Sequence, residues 1–175
     1  MSEYLPIIYL AVLLVLLGAS VWFIFLQIMK TRRTESTLTR LQNKLAKDKG
    51  TAQEYYELGS ILLDKKLYAQ AIAQLQKALK TEDLERAEDT AVIYNALGFS
   101  YFAQEQYDLA IRQYKEALKL LPDYVTALNN LGHAYERKKL TTQALEAYEQ
   151  ALSLDPKNDT AKRRANSLRK LVGAA

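Results

Sequence analysis

Two stretches of this chain superpose at one constant offset, the distance from Gly98 to Gly132. The first carries Tyr94, Leu97, Gly98, Tyr101, Ala110, Tyr114, Ala117 and Pro122. The second carries Leu128, Leu131, Gly132, Tyr135, Ala144, Tyr148, Ala151 and Pro156. Upstream, Tyr55, Leu58, Gly59, Leu62, Ala71, Leu75 and Ala78 form a third copy. So long a period marks a repeated supersecondary unit rather than a heptad or a strand alternation. Within each copy the apolar spacing is helical, and the copy divides into two helices. Glycine and alanine at the crossing points let two backbones approach, and the large residues fill the space beside them. Pro122 and Pro156 end the second helix of a copy. One such unit cannot bury its apolar face alone, and about three are needed. The expected fold is therefore all-α: a solenoid of three helical pairs over 51–156, divided as 52–85, 91–124 and 125–158. A capping helix and tail follow over 159–175.

The pattern resembles the tetratricopeptide-repeat signature, from Ala52 to Pro156. The first copy departs from it. Leu62 replaces the usual aromatic, and Asp83 stands where proline is expected. Gly59 lies farther from Gly98 than Gly98 does from Gly132, and the excess of five residues falls near Thr81–Asp89. That acidic stretch is expected to extend a helix or lengthen a loop. In the cap, Ala161, Ala165 and Leu168 are expected to face the last repeat. Lys162, Arg163, Arg164, Arg169 and Lys170 keep its outer side soluble.

Ahead of the repeats, no charged residue occurs from Tyr4 to Met29. A hydrocarbon core of roughly 30 Å needs about 20 apolar helical residues, so 1–29 is read as a transmembrane anchor. Tyr4 and Tyr9 fall toward one interface, Trp22 and Phe25 toward the other. A cleaved signal would have a basic start and a shorter apolar core. Here Glu3 precedes the run, and Lys30, Arg32 and Arg33 follow it. Those cations predict that the N-terminus crosses and that the repeats stay on the cytoplasmic or equivalent side. Gly18, Ala19 and Ser20 permit close packing of another helix, although small residues are common in spans. Over 30–50, Leu38, Leu41 and Leu45 recur among Arg40, Lys44 and Lys47, predicting a basic amphipathic neck helix ended by Gly50. It suits anionic headgroups, a cover for the first repeat, or a solvated lead-in.

Composition excludes several chemistries. Cysteine is absent, which removes disulfides, zinc-thiolate sites and thiol nucleophiles. The single histidine is His133. No phosphate loop, metal-binding helix or nucleophile elbow occurs. No cofactor or metal is expected, and no enzymatic activity. Residues 51–156 carry a net charge of −5, against +4 for 1–50 and +5 for 157–175. An acidic body with basic ends is not a nucleic-acid footprint.

What remains is a protein-binding surface. In the tetratricopeptide family the first helix of each repeat lines a concave groove. Spacing assigns Gln53, Tyr56, Ser60 and Leu63 to it from repeat one, and Val92, Asn95, Phe99 and Phe102 from repeat two. Repeat three supplies Thr126, Asn129, His133 and Glu136, and the cap adds Arg163 and Lys170. Phe99 and Phe102, three apart, suggest a partner's apolar anchor, with packing against the neighbouring repeat as the alternative. Asn95 and Asn129 occupy equivalent positions and suit a bound backbone. His133 is read as an ordinary groove residue. Some members of the family grip chaperone C-termini through cations. The matching positions here are Tyr56, Ser60, Asn95 or Ala96, Thr126 and Asn130, so that binding mode is not expected.

The whole layout of short acidic start, span, basic neck and three repeats resembles the small cyanobacterial and plastid tetratricopeptide proteins that assist photosystem I assembly. That resemblance implies a thylakoid anchor, repeats facing the cytoplasm or stroma, and photosystem I subunits or other assembly factors as partners. Membrane lipid would be met through residues 5–29 and the neck. The same architecture also suits a mitochondrial-type import receptor or a bacterial envelope scaffold.

Overall fold

The computed structural model describes residues 5–173, and within the first helix the side chains of all but residues 5–8 and 11. The interfacial role expected of Tyr4 and the last two residues of the tail lie outside the described residues. The chain divides into two compact units, residues 1–47 and 48–175.

The first unit is α1, Leu5–Lys47, a single helix of 43 residues. The expected anchor and neck are thus one element, without a joint at Lys30. No glycine or proline interrupts the chain between Gly18 and Gly50, and the good helix formers beyond the apolar run carry the ladder onward. Thr31, Thr34 and Thr39 return their hydroxyls to the carbonyls four residues back. Lys44 and Lys47 in the last turn complement the helix dipole. The helix stops short of Gly50, which does not take the left-handed conformation of a capping glycine. Residues 30–47 extend the helix by roughly 27 Å at about 1.5 Å per residue. α1 is long and apolar enough to cross a membrane. Its described apolar side chains from Val12 to Met29 are exposed, and Trp22 stacks on Phe25 at 6.0 Å.

The second unit holds seven helices among the described residues, and no strand. They are α2 Ala52–Asp64, α3 Tyr68–Ala78, α4 Ala87–Ala103, α5 Tyr107–Leu120, α6 Val125–Arg137, α7 Thr141–Leu154 and α8 Asp159–Val172. Each packs on the next, giving three helical pairs and a cap. Gly59 faces Leu75, Gly98 the ring of Tyr114, and Gly132 the ring of Tyr148. Ala71, Ala78, Ala110, Ala117, Ala144 and Ala151 are fully buried, because any larger residue would hold the paired backbones apart. Each pair turns through one left-handed residue, Lys66, Glu105 or Lys139, at φ close to +60°. The next amide then bonds to the carbonyl five residues back: Leu67 to Leu62, Gln106 to Tyr101, Leu140 to Tyr135.

Both expectations for the acidic insertion hold together. α4 begins four residues before Ala91, the position equivalent to the start of α6, and a loop of residues 79–86 precedes it. Asp83 has a local role in place of proline. Its two carboxylate oxygens accept from the Ala52 amide at 3.1 and 3.0 Å. They tie the end of the first repeat to the N-terminus of α2, beside the capping box of Thr51 and Glu54. In α8, Ala161, Ala165 and Leu168 are buried as expected, and Asn158 caps its first turn through the Ala161 amide.

Candidate functional site

The first helices of the three pairs, α2, α4 and α6, line a cavity of about 550 Å³. From α2 come Tyr56, Ser60 and Leu63, from α4 Asn95, Ala96 and Phe99, and from α6 Thr126 and Asn130. Six residues assigned to the groove by spacing therefore meet: Tyr56, Ser60, Leu63, Asn95, Phe99 and Thr126. Helical periodicity explains the gathering, because residues three and four apart share a face. Asp64 at the end of α2, Lys66 in the turn after it and Tyr68 at the start of α3 form one edge. Gln53 and Val92 instead line a smaller cavity of about 140 Å³, together with Asp83 and Asp89.

The two phenylalanines part. Phe99 is 44% exposed. A large apolar side chain left open in a concavity is what a partner's anchor needs. Phe102 is half-buried. Its ring lies 4.8 Å from His133 and 5.4 Å from Tyr107, against the core of the following repeat. The expectation that both project together into the groove is corrected here. Both lie on one side of α4, and the neighbour decides: the ring of His133 in the next repeat stands against Phe102, while Phe99 stays exposed.

The asparagines part as well. Asn95 Nδ2 donates to the Tyr124 hydroxyl at 3.5 Å, and Asn95 Oδ1 accepts from Asn130 Nδ2 at 2.9 Å. The amide is spent on the neighbouring repeat. Asn129 Oδ1 is buried and meets no donor among the described residues. Burial holds the Tyr124 phenol above its ordinary pKa, with Tyr56 adding to the shift and Asn95 opposing it. Tyr124 and Asn130 belong to this polar floor but were absent from the spacing-based groove set. The signal for Asn130 is that it matches a position where chaperone-binding members of the family carry a groove cation.

Farther along, burial and then the Arg164 and Arg137 charges hold His133 below its ordinary pKa, against the pull of Glu136. Glu136 accepts from the Tyr148 hydroxyl at 2.6 Å and faces Arg164 Nη1 at 3.4 Å. Of the cap cations expected at the groove, Arg163 is exposed and donates to its own helix's Asp159 carbonyl, and Lys170 is exposed. The cap residue that reaches α6 is Arg164. Adjacent residues on a helix point about 100° apart, and α8 presents the neighbour of the residue that was expected.

The tetratricopeptide-repeat family model matches residues 50–123 and 89–157. The ycf37 protein of Cyanophora paradoxa is 38% identical over 98% of this chain and 99% of its own length. The chloroplastic tetratricopeptide protein PYG7 of Arabidopsis thaliana is 39% identical over 68% of this chain, but this match spans 39% of that longer protein. Among solved structures, MamA superposes with a TM-score of 0.72 at 24% identity, over 82% of this chain and 83% of its own, a likeness of fold. The chain belongs to the tetratricopeptide-repeat proteins, as a homologue of ycf37 and PYG7.

Proposed function

We propose that this protein is a single-pass membrane scaffold whose groove holds a segment of a photosystem I subunit or of a fellow assembly factor in the thylakoid membrane. The observation that carries the binding reading is Phe99, exposed in a cavity floored by amides and hydroxyls. An apolar anchor among polar groups that fix a backbone is the composition of a peptide site. The thylakoid reading is supported by the apolar α1 and by a chloroplast homologue. The photosystem I role is supported by the resemblance of the layout to assembly proteins of that complex.

Captured from gently solubilised native membranes through a tag on the full chain, the protein should bring photosystem I subunits, read by mass spectrometry. Translocase subunits in their place would sink this reading and favour an import receptor. Orientation has its own test. Lys30, Arg32 and Arg33 should retain the repeats on the cytoplasmic or stromal side. Protease added to inside-out vesicles should then digest residues 31–175, and protection there would reverse the topology.

A further inference from the structure

On the repeat register, Arg164 of the cap stands where Asn130 stands one repeat earlier. Asn130 donates to the carbonyl of Asn95 at 2.9 Å. The corresponding carbonyl one repeat on, Asn129 Oδ1, is buried and meets no donor among the described residues. Arg164 is directed instead to Glu136 Oε2, by a single Nη at 3.4 Å. That contact is long for a charged pair and uses one limb of a guanidinium built to hold a carboxylate with two. The side chain of Arg164 is 49% exposed and that of Glu136 19%. Glu136 does not depend on the arginine, because its other oxygen keeps the Tyr148 hydroxyl at 2.6 Å. When the arginine leaves, the carboxylate keeps the Tyr148 hydroxyl on its other oxygen. His133, on the same helix, feels the positive field of Arg164 and Arg137.

We propose that Arg164 receives an acidic side chain of the bound segment, exchanging the loose contact with Glu136 for a two-pronged one with the ligand. The inference rests on the groove reading above and adds a second determinant to it. The segment presents an apolar side chain toward Phe99 and Leu63 and an Asp or Glu one repeat farther, toward the cap. Glu136 is then the internal competitor that sets how tightly the acidic residue is held. Charge complementarity selects an acidic partner here, since the cation at this end is half in solvent and its one protein partner is otherwise engaged.

The test uses the full chain in nanodiscs and random linear peptides displayed on phage. Selection should enrich peptides that pair an apolar residue with Asp or Glu at a fixed spacing. A synthetic peptide of that consensus should bind Arg164→Gln about tenfold more weakly, the scale of one charged hydrogen-bonded pair. Changing its acidic residue to the amide should cost a similar factor in the wild type and little more in Arg164→Gln. Glu136→Gln should bind the peptide several-fold more tightly, a gain that damaged folding cannot produce. Peptides without an acidic requirement, unchanged affinity in Arg164→Gln, or no gain in Glu136→Gln would overturn the role of Arg164 while leaving the groove intact. Selection of no peptide, or of peptides insensitive to Phe99→Ala, would overturn the groove reading itself.

Discussion

Phe99→Ala should strip the protein of the partners proposed for its groove and leave the repeats folded. Phe99 is 44% exposed, so removing its ring opens no internal cavity, and alanine is the better helix former. Its contribution is to whatever fills the groove. Truncating an aromatic anchor at the centre of an interface commonly costs about 2 kcal/mol or more, roughly thirtyfold in affinity. Partner recovery from native membranes should fall on that scale, with helical content by circular dichroism and the melting temperature near wild type. Phe102→Ala makes the contrast. That ring packs on His133 and Tyr107, so its loss should lower the melting temperature first. If Phe99→Ala keeps its partners with folding intact, the binding surface lies on another face or on α1. If it unfolds, Phe99 is core and the exposed position is misleading.

Gly98→Leu should be the most damaging single change among the repeat glycines. A Cβ built at Gly98 falls 2.6 Å from the ring of Tyr114. Tyr114 is among the most deeply buried side chains, 1% exposed, and cannot swing aside. Overpacking of this kind costs about 1–3 kcal/mol, and leucine at a site with no room for a Cβ belongs at the upper end. Gly132 meets Tyr148 at 2.8 Å, with the Tyr148 hydroxyl pinned by Glu136, and should behave alike. Gly59 meets the flexible end of Leu75 at 2.9 Å. Leucine can change rotamer where a buried tyrosine cannot, so Gly59→Leu should be milder. Thermal melts of the full chain in nanodiscs order the three variants. A melting temperature for Gly98→Leu equal to wild type would mean that the helices of the second repeat do not cross there.

Much of the repeat unit could be read before any coordinates. The constant offset between copies encodes where helices cross, because a glycine recurring in step with aromatics marks a crossing. That Gly98 and Gly132 sit at helix crossings was legible, as was the cap's inner face of Ala161, Ala165 and Leu168; which of the recurring tyrosines faces each glycine was not, and it is Tyr114 and Tyr148. The acidic insertion was legible as an excess between the first two glycines. The exchange of proline for Asp83 was visible, but its use was not, since its partner amide belongs to Ala52 at the far end of the same repeat. That the first helix is long and apolar enough to cross a membrane was legible from hydropathy. Its continuity with the neck was not. The change from apolar to charged side chains at Lys30 leaves the backbone untouched, and the hydrogen bonds of a helix run on until residues that break them arrive.

The sequence by itself determined the helical pairs, their crossings and the phase of the groove, because all three depend on spacing along one helix or one repeat. Only the tertiary structure decided which groove-phase side chains are free. Phe99 and Phe102 are the same residue type about one turn apart, and the ring of His133 in the next repeat takes one and leaves the other. Asn95 and Asn129 are equivalent by register, and Asn130 satisfies the first while nothing described satisfies the second. Arg163 and Arg164 are adjacent, and Glu136 on α6 distinguishes them. In each case the deciding neighbour comes from the adjoining helical layer, and availability is set by what stands opposite, which local periodicity does not contain.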